Sequence, residues 1–184
     1  MRKRLRPKYS ERQLAEVYSN TYDHTKWTDH IIRVEETVKF ASANLEPFTS
    51  IADLSCGDGY IATGIAENFR GVTVYLGDFV EGNVYCGPIE ETVHQIPSVG
   101  AFVLSETLEH LDDPDAVLRE LRAKTRQLVL STPCDETIPN FEHYWAWSAS
   151  DVAAMLEAAS FQPVAMSFLE FPELDVRYQM WVAQ

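Results

Sequence analysis

From residue 51 onward, short apolar runs of strand length alternate with segments whose apolar residues recur at helical spacing. This alternation predicts an α/β fold, in which a mostly parallel sheet carries helices on both faces. The predicted strands are Ile51–Leu54, Val72–Leu76, Val84–Cys86, Val99–Leu104 and Leu128–Ser131, and the predicted helices are Ile61–Phe69 and Pro114–Lys124.

The two ends of the chain have different patterns. Residues 10–45 show helical spacing that polar residues interrupt at 23–28, which predicts two N-terminal helices. Ser148–Ala159 predicts an amphipathic helix with a serine at its N-cap. The runs Pro163–Phe171 and Tyr178–Ala183 flank a turn and predict a hairpin at the edge of the sheet.

Length and composition indicate one domain in residues 1–184, because 46% hydrophobic residues in 184 suffice for a single core. No apolar run approaches the roughly 18 residues of a membrane span, and no signal-peptide core follows the first residues, so we expect a cytoplasmic protein. Cys56, Cys86 and Cys134 lack paired spacing, so we expect reduced thiols and no metal.

The net charge of −13 disfavours nucleic acid, whose binding depends on the neutralisation of phosphates. The exception is a basic start at Arg2, Lys3, Arg4, Arg6 and Lys8. A frayed, solvated terminus is favoured there over a basic arm.

Glycine and aspartate cluster directly after the first predicted strand of the core, in Ser55-Cys56-Gly57-Asp58-Gly59. Glycine permits positive φ and a close approach of a ligand to the backbone. The acidic Asp53 and Asp58 disfavour a pyrophosphate and suit a ligand that carries an ammonium or sulfonium cation. Because Ala62 also completes the spacing of a dinucleotide fingerprint, spacing alone leaves both ligands open.

About twenty residues later, the next strand ends at Asp78. A carboxylate at this distance from a glycine turn suits the two hydroxyls of a ribose. Taken alone, Asp78 is more often a turn residue after a strand, but its coupling to the glycine turn favours the ribose role.

Four motifs together resemble class I S-adenosylmethionine-dependent methyltransferases. "DLSCGDGYIA" (53–62) is similar to their glycine-rich motif, and "YLGDF" (75–79) to their acidic strand end. "AFVLSETLEHLDDPDAVLRELR" (101–122) resembles their fourth strand with its helix, and "LVLSTP" (128–133) their fifth strand. The resemblance implies a doubly wound sheet of seven strands whose last strand is antiparallel, with residues 1–48 as a helical lid and 49–184 as the core.

The resemblance also implies S-adenosyl-L-methionine as cofactor and a set of residues around it. Asp53 would lie near the amino group, Asp78 would hold the ribose, and Pro88 replaces an aspartate that binds adenine in many relatives, which leaves Ile89 or Glu90 for that contact. Arg33 either pairs with the methionine carboxylate or forms an exposed ion pair with Glu35 or Glu36. The remaining expected cofactor residues are Ser55, Cys56, Gly57, Asp58, Gly59, Phe79, Ser105, Glu106, Leu108, Tyr22 and His30.

Candidate acceptor residues follow the fifth strand, where loops of open parallel sheets contact substrate. His143 is the favoured general base, whereas His110 is equally a base or a helix-start residue. Tyr144 or Trp145 would face the acceptor unless they only cover the sheet edge, and His24 is a further candidate contact.

We therefore expect a methyltransferase that modifies O, N or C of a small-molecule substrate, as a monomer or homodimer, without nucleic-acid or membrane partners. Three alternatives remain open: a cofactor-binding module without catalysis, a tRNA or nucleobase methyltransferase, and a nicotinamide-dependent dehydrogenase.

Overall fold

The computed structural model describes residues 2–18, 23–136 and 141–184. The predicted helices and strands are present in the predicted order, with boundaries that differ by a few residues. The helices are α1 Glu11–Val17, α2 Thr28–Asn44, α3 Tyr60–Glu67, α4 Ile89–Thr92, α5 Pro114–Lys124 and α6 Ala149–Ala158. The strands are β1 Lys3–Arg4, β2 Ser50–Asp53, β3 Thr73–Asp78, β4 Tyr85–Cys86, β5 Val99–Ser105, β6 Thr125–Pro133, β7 Trp145–Ala146, β8 Pro163–Phe171 and β9 Val176–Ala183. Of these elements, β1, α4 and β7 were not predicted.

Seven strands form one sheet in the order β4-β3-β2-β5-β6-β9-β8. The first five run parallel, and β9 lies antiparallel between β6 and β8. This confirms the predicted α/β fold, its mostly parallel seven-stranded sheet and its C-terminal antiparallel hairpin.

Alternating residues of the central strands supply two separate cores. Ile51 and Ala101 pair across β2 and β5 and face the core under α2 and α3, whereas Ala52 and Phe102 face the core on the other side of the sheet. Both faces of β2 and β5 are therefore buried, which accounts for their unbroken apolar runs.

The order of the strands reverses at β2, because the chain first builds β3 and β4 on one side and then crosses to β5 on the other. In open parallel sheets, a crevice forms outside the carboxyl ends of the strands at this reversal. The turns after β2, β3 and β5 consequently meet at one place.

Local sequence signals fix the two helices that flank this sheet edge. Pro114 occupies the first turn of α5, and the Asp113 side chain accepts a hydrogen bond from the Ala116 N–H at 2.9 Å. Ser148 and Asp151 form a capping box at α6. Among the described residues, no helix is both long and apolar enough to cross a membrane.

The expectation of a frayed N-terminus is wrong. β1 pairs antiparallel with β7, and the Arg2 guanidinium lies 4.0 Å from the centre of the Trp145 ring. Arg6 is buried and stacks 3.8 Å from the centre of the Tyr9 ring. Cations stacked on aromatic faces order the segment, which composition alone could not reveal.

Candidate functional site

A cavity of about 820 Å³ opens at the carboxyl ends of β2, β3 and β5. Its volume lies in the roughly 300–1,000 Å³ range of small-molecule sites. The N-terminal segment contributes Tyr18, His30 and Arg33 to its lining, and the turns after β2 and β3 contribute Ser55, Gly57, Asp78, Phe79 and residues 87–91. The end of β5 and the turn after it contribute residues 105–107 and 109–112, and the last third of the chain contributes Glu142, His143 and Tyr178.

A direct contact joins the glycine turn to the end of β3. The Gly57 N–H donates to Asp78 Oδ2 at 2.8 Å, and Gly57 has a φ of +55°. The Cys56 N–H donates to the Gly77 carbonyl at 3.0 Å. The turn and Asp78, which sequence reasoning linked only by spacing, thus lie at one mouth of the cavity.

Three residues of the turn, Cys56, Asp58 and Gly59, do not line the cavity. Gly59 has a φ of +78°, which favours glycine, and a Cβ there would also lie 2.8 Å from Leu76 Cδ1, so its backbone conformation explains this glycine without a ligand. Asp58 accepts from the Tyr60 N–H at the start of α3, and the Cys56 side chain is buried. The structure therefore shows local contacts for these three residues, outside the cavity at which the cofactor contact was expected.

Asp53 lies beneath the turn and is 3% exposed. Its Oδ1 accepts from the Ser55 N–H at 3.1 Å, and it does not line the cavity. Burial raises the pKa of Asp53 to about 7. Its position makes it a support for the turn.

The floor of the cavity is formed at the end of β5. Glu106 has a φ of +50°, which is uncommon outside glycine, and its Oε1 accepts from the Ser131 hydroxyl at 2.8 Å. Burial raises the pKa of this carboxyl. Leu108 is fully buried below this floor and does not line the cavity.

Arg33 is 3% exposed, and its Nη1 lies 3.9 Å from Glu106 Oε1. The alternative of an exposed ion pair with Glu35 or Glu36 is therefore wrong, and Glu36 pairs with Lys39 instead. Arg33 points a buried cation into the cavity beside the floor.

Of the other candidate residues in the N-terminal segment, the structure describes the side chain of His30 alone. His30 lines the cavity, with its Nε2 3.4 Å from Asp29 Oδ2. Tyr22 lies outside the described residues, and the side chain of His24 lies outside the description as well.

At the opposite end of the lining, Glu109, His110 and His143 come together. Glu109 is 1% exposed, and its Oε2 accepts from the Thr132 hydroxyl at 3.0 Å, while the Trp147 indole donates to the same hydroxyl at 3.0 Å. Burial raises the pKa of Glu109 to about 8, and the neighbouring charge of Glu106 adds to this.

The two histidines are held by contacts at Nδ1. His110 Nδ1 lies 2.9 Å from the Tyr18 hydroxyl and 3.2 Å from the Glu142 carbonyl, and burial lowers the pKa of His110 to about 3. His143 Nδ1 lies 2.8 Å from a Glu136 carboxylate oxygen. Burial lowers the pKa of His143, but the hydrogen bond to Glu136 and nearby carboxylates outweigh it and raise the pKa overall.

Comparison with known proteins gives a clear result at the level of fold. No family model matches the chain, and no curated protein matches it. Among solved structures, 1,6-didemethyltoxoflavin-N1-methyltransferase of Burkholderia thailandensis, with bound 1,6-didemethyltoxoflavin and S-adenosylhomocysteine, is 19% identical over 97% of this chain and 91% of its own, with a TM-score of 0.70. Magnesium protoporphyrin IX methyltransferase of Synechocystis PCC 6803 with bound SAH is 16% identical over 84% and 82%, with a TM-score of 0.64.

The chain has the class I methyltransferase fold. The [4+2]-cyclase SpnF also matches, at 12% identity over 89% of this chain and 84% of its own, with a TM-score of 0.66. Because that neighbour is named a cyclase, the shared fold by itself does not fix the reaction.

Within the class I fold, the loop after β3 forms the remaining wall. Phe79, Pro88, Ile89 and Glu90 all line the cavity, and Pro88 is the N-cap of α4. Phe79 also packs edge-on against Tyr18, with ring centroids 5.8 Å apart. The residues expected to replace the missing aspartate are therefore at the cavity.

The structure places Tyr144 and Trp145 away from the cavity. Tyr144 is buried, and the Trp145 indole donates to the Leu111 carbonyl at 2.8 Å, while Arg2 covers its ring. Both rings hold the N-terminal segment, which occupies the face where we expected an acceptor.

Sequence reasoning missed Tyr18, Glu109 and Tyr178, which all line the cavity. The signal for Glu109 was present, because it follows a predicted strand and adjoins His110. Tyr18 and Tyr178 gave no local signal, since helix and strand packing from distant parts of the chain bring them there.

Proposed function

We propose that the chain is an S-adenosylmethionine-dependent methyltransferase that acts on a small-molecule acceptor. The observation that carries this proposal is the 2.8 Å contact between the Gly57 amide and Asp78 at the mouth of the large cavity. In the class I fold, structural neighbours with bound SAH support the same choice of cofactor.

Asp78 has the chemistry for the ribose. Its Oδ2 accepts from Gly57 and its Oδ1 from the Val80 N–H at 3.2 Å. An ionised carboxylate offers about four acceptor sites, so two remain for vicinal hydroxyls. Backbone contacts on both oxygens also fix the orientation of the group before a ligand arrives.

The charge of the lining favours a cationic cofactor. Carboxylates outnumber Lys and Arg among the described residues around the cavity, and Asp78, Glu90 and Glu142 are among them. Such a lining attracts a sulfonium and opposes the pyrophosphate of a dinucleotide. This argues against the dehydrogenase alternative.

The N-terminal helices supply the proposed lid. Tyr18 follows α1 and His30 and Arg33 belong to α2, and all three line the cavity. Arg33 is the proposed partner of the methionine carboxylate, because it is a buried cation at the floor.

The chemistry required of the chain is mainly alignment. S-adenosylmethionine would supply its methyl group to a nucleophilic atom of the acceptor, with the electron pair of the broken carbon–sulfur bond returning to sulfur. In-line reactions of this kind depend on the orientation of both reactants. The cluster of Glu109, His110 and His143 is the proposed acceptor end, because it lines the same cavity as the glycine turn.

The test is transfer of isotope-labelled methyl groups from S-adenosylmethionine to a fractionated metabolite mixture. We expect a labelled small molecule with the native chain and a strong loss of label with Asp78→Asn. Binding of S-adenosylhomocysteine without any transfer would favour a binding module or a non-methylating enzyme, as the neighbouring cyclase suggests. Absence of both binding and transfer would contradict the proposal.

A further inference from the structure

Glu109, His110 and His143 each offer one ligand atom, and these atoms lie within 4.8 Å of one another. The residues come from two segments: Glu109 and His110 from the turn after β5, and His143 from the loop before β7. Two imidazoles and one carboxylate are a donor set that suits divalent transition metals. The expectation of no metal rests on the spacing of the three cysteines, and Glu109, His110 and His143 are not part of that pattern.

The hydrogen bonds at Nδ1 prepare both histidines as ligands. The Glu142 carbonyl can only accept, so we assign the proton of His110 to Nδ1 and the lone pair to Nε2. The Glu136 carboxylate likewise places the His143 proton on Nδ1. Such a carboxylate or carbonyl behind the ring is the usual outer support of a metal-bound histidine.

The Glu109 carboxylate is also positioned to bind a metal ion. Thr132 holds Glu109 Oε2, whereas Glu109 Oε1 is buried and has no hydrogen-bond partner among the described residues. This oxygen lies 3.9 Å from His110 Nε2. A buried carboxylate oxygen without a partner is costly, and a metal ion would remove that cost.

We propose that Glu109, His110 and His143 bind one divalent transition-metal ion, with Glu136 as a positioning residue behind His143. Small shifts of these side chains bring the three atoms to the distances of about 2.0–2.2 Å at which Zn²⁺ binds such ligands. Three protein ligands leave coordination positions open toward the cavity, which is typical of a catalytic metal and not of a structural one.

One consequence rests on the proposed function. If the cavity holds S-adenosylmethionine, the open positions would bind an oxygen atom of the acceptor next to the cofactor. A metal lowers the pKa of a bound hydroxyl, so an alcohol or phenol acceptor fits this site. The metal site itself is tested without the cofactor, so that either proposal can fail alone.

The experiment uses the full chain without an affinity tag and titrates it with Co²⁺, followed by visible absorption and calorimetry. We expect one ion per chain, with an absorption band typical of inner-sphere nitrogen ligands, and competition by Zn²⁺ and Mn²⁺. Separate titration with S-adenosylhomocysteine reports the cofactor site. Cofactor binding without a Co²⁺ band would overturn the metal proposal and leave the proposed function intact.

Substitutions of the proposed ligands and of Glu136 test where the ion binds. Glu109→Gln keeps an acceptor for Thr132, and His143→Gln preserves much of the side-chain volume, so at least one folded variant is expected. Both should lose more affinity than the roughly 10- to 100-fold expected for Glu136→Gln, which removes only the support. His94→Ala, an exposed histidine elsewhere, is the matched control and should leave binding unchanged. Native affinity in Glu109→Gln and in His143→Gln would overturn the assignment.

Discussion

The two ends of the cavity are built in different ways. At the end formed by Gly57 and Asp78, 21 residues of chain separate two groups that bond directly. At the end formed by Glu109, His110 and His143, the supports are Tyr18, 92 residues from His110, Thr132, 23 residues from Glu109, and Glu136, 7 residues from His143. The first end depends on one strand–turn–helix unit and its neighbouring strand, whereas the second depends on the packing of the whole chain.

The largest expected effect concerns Asp53, the buried carboxyl that supports the glycine turn. The pKa of Asp53 is raised from 3.8 to about 7 by burial, so the folded state holds a proton that the unfolded state has released between these values. The contribution of Asp53 to the unfolding free energy is therefore fully present below about pH 4 and is lost as the pH rises through about 7. The loss is about 4 kcal/mol of unfolding free energy, at about 1.4 kcal/mol per pH unit.

Asp53→Asn tests this by urea unfolding at a series of pH values. The difference in unfolding free energy between the variant and the native chain should shift in favour of the variant from pH 4 to pH 8. Two parallel pH profiles would show that burial does not control this carboxyl.

The next effect concerns the ribose. Asp78→Asn removes the charge but keeps an oxygen for the Gly57 amide, and calorimetry should show S-adenosylhomocysteine bound about 10- to 100-fold more weakly, since hydrogen bonds to charged groups contribute about 1.5–3 kcal/mol. Asp58→Asn is the matched control, because Asp58 belongs to the same turn but does not line the cavity. An equal loss in both variants would mean that the turn, and not the ribose contact, is affected.

A third effect distinguishes the proposed contact of Arg33 with the methionine carboxylate from the contacts with the nucleoside. Arg33→Lys keeps a cation beside Glu106 but loses the two-pronged geometry that suits a carboxylate. The affinity for S-adenosylhomocysteine should fall about 10-fold, whereas 5′-methylthioadenosine, which lacks the carboxylate, should bind as before. The same loss with both ligands would place Arg33 outside the methionine subsite.

The smallest expected effect concerns Arg6, which supports the end of the cavity formed by Glu109, His110 and His143. Arg6 donates from Nε and Nη2 to the Glu142 carbonyl at 3.1 and 3.0 Å and so holds the loop that carries His143. Arg6→Ala should lower the unfolding free energy by about 1–2 kcal/mol, through the lost stacking and hydrogen bonds. Arg4→Ala, whose guanidinium is exposed and 5.1 Å from the Tyr144 ring, should cost less. Equal costs would remove the special role of Arg6.

The contrast also explains how much the sequence could predict. The sheet, the hairpin and the pairing of the glycine turn with Asp78 were predicted correctly, because period and strand–turn–helix order are local signals. The roles of Tyr144 and Trp145 were misplaced, because nothing local indicates that Arg2 covers Trp145. The position of Glu109 beside His110 was a usable signal, but its burial and orientation depend on Thr132 and Trp147, two partners that only the fold brings near.

The most direct test is a crystal structure of the chain with S-adenosylhomocysteine. We expect both ribose hydroxyls within hydrogen-bond distance of Asp78 and the sulfur atom between Gly57 and the cluster of Glu109, His110 and His143. A ligand bound elsewhere, or a cavity that stays empty at saturating ligand, would contradict it.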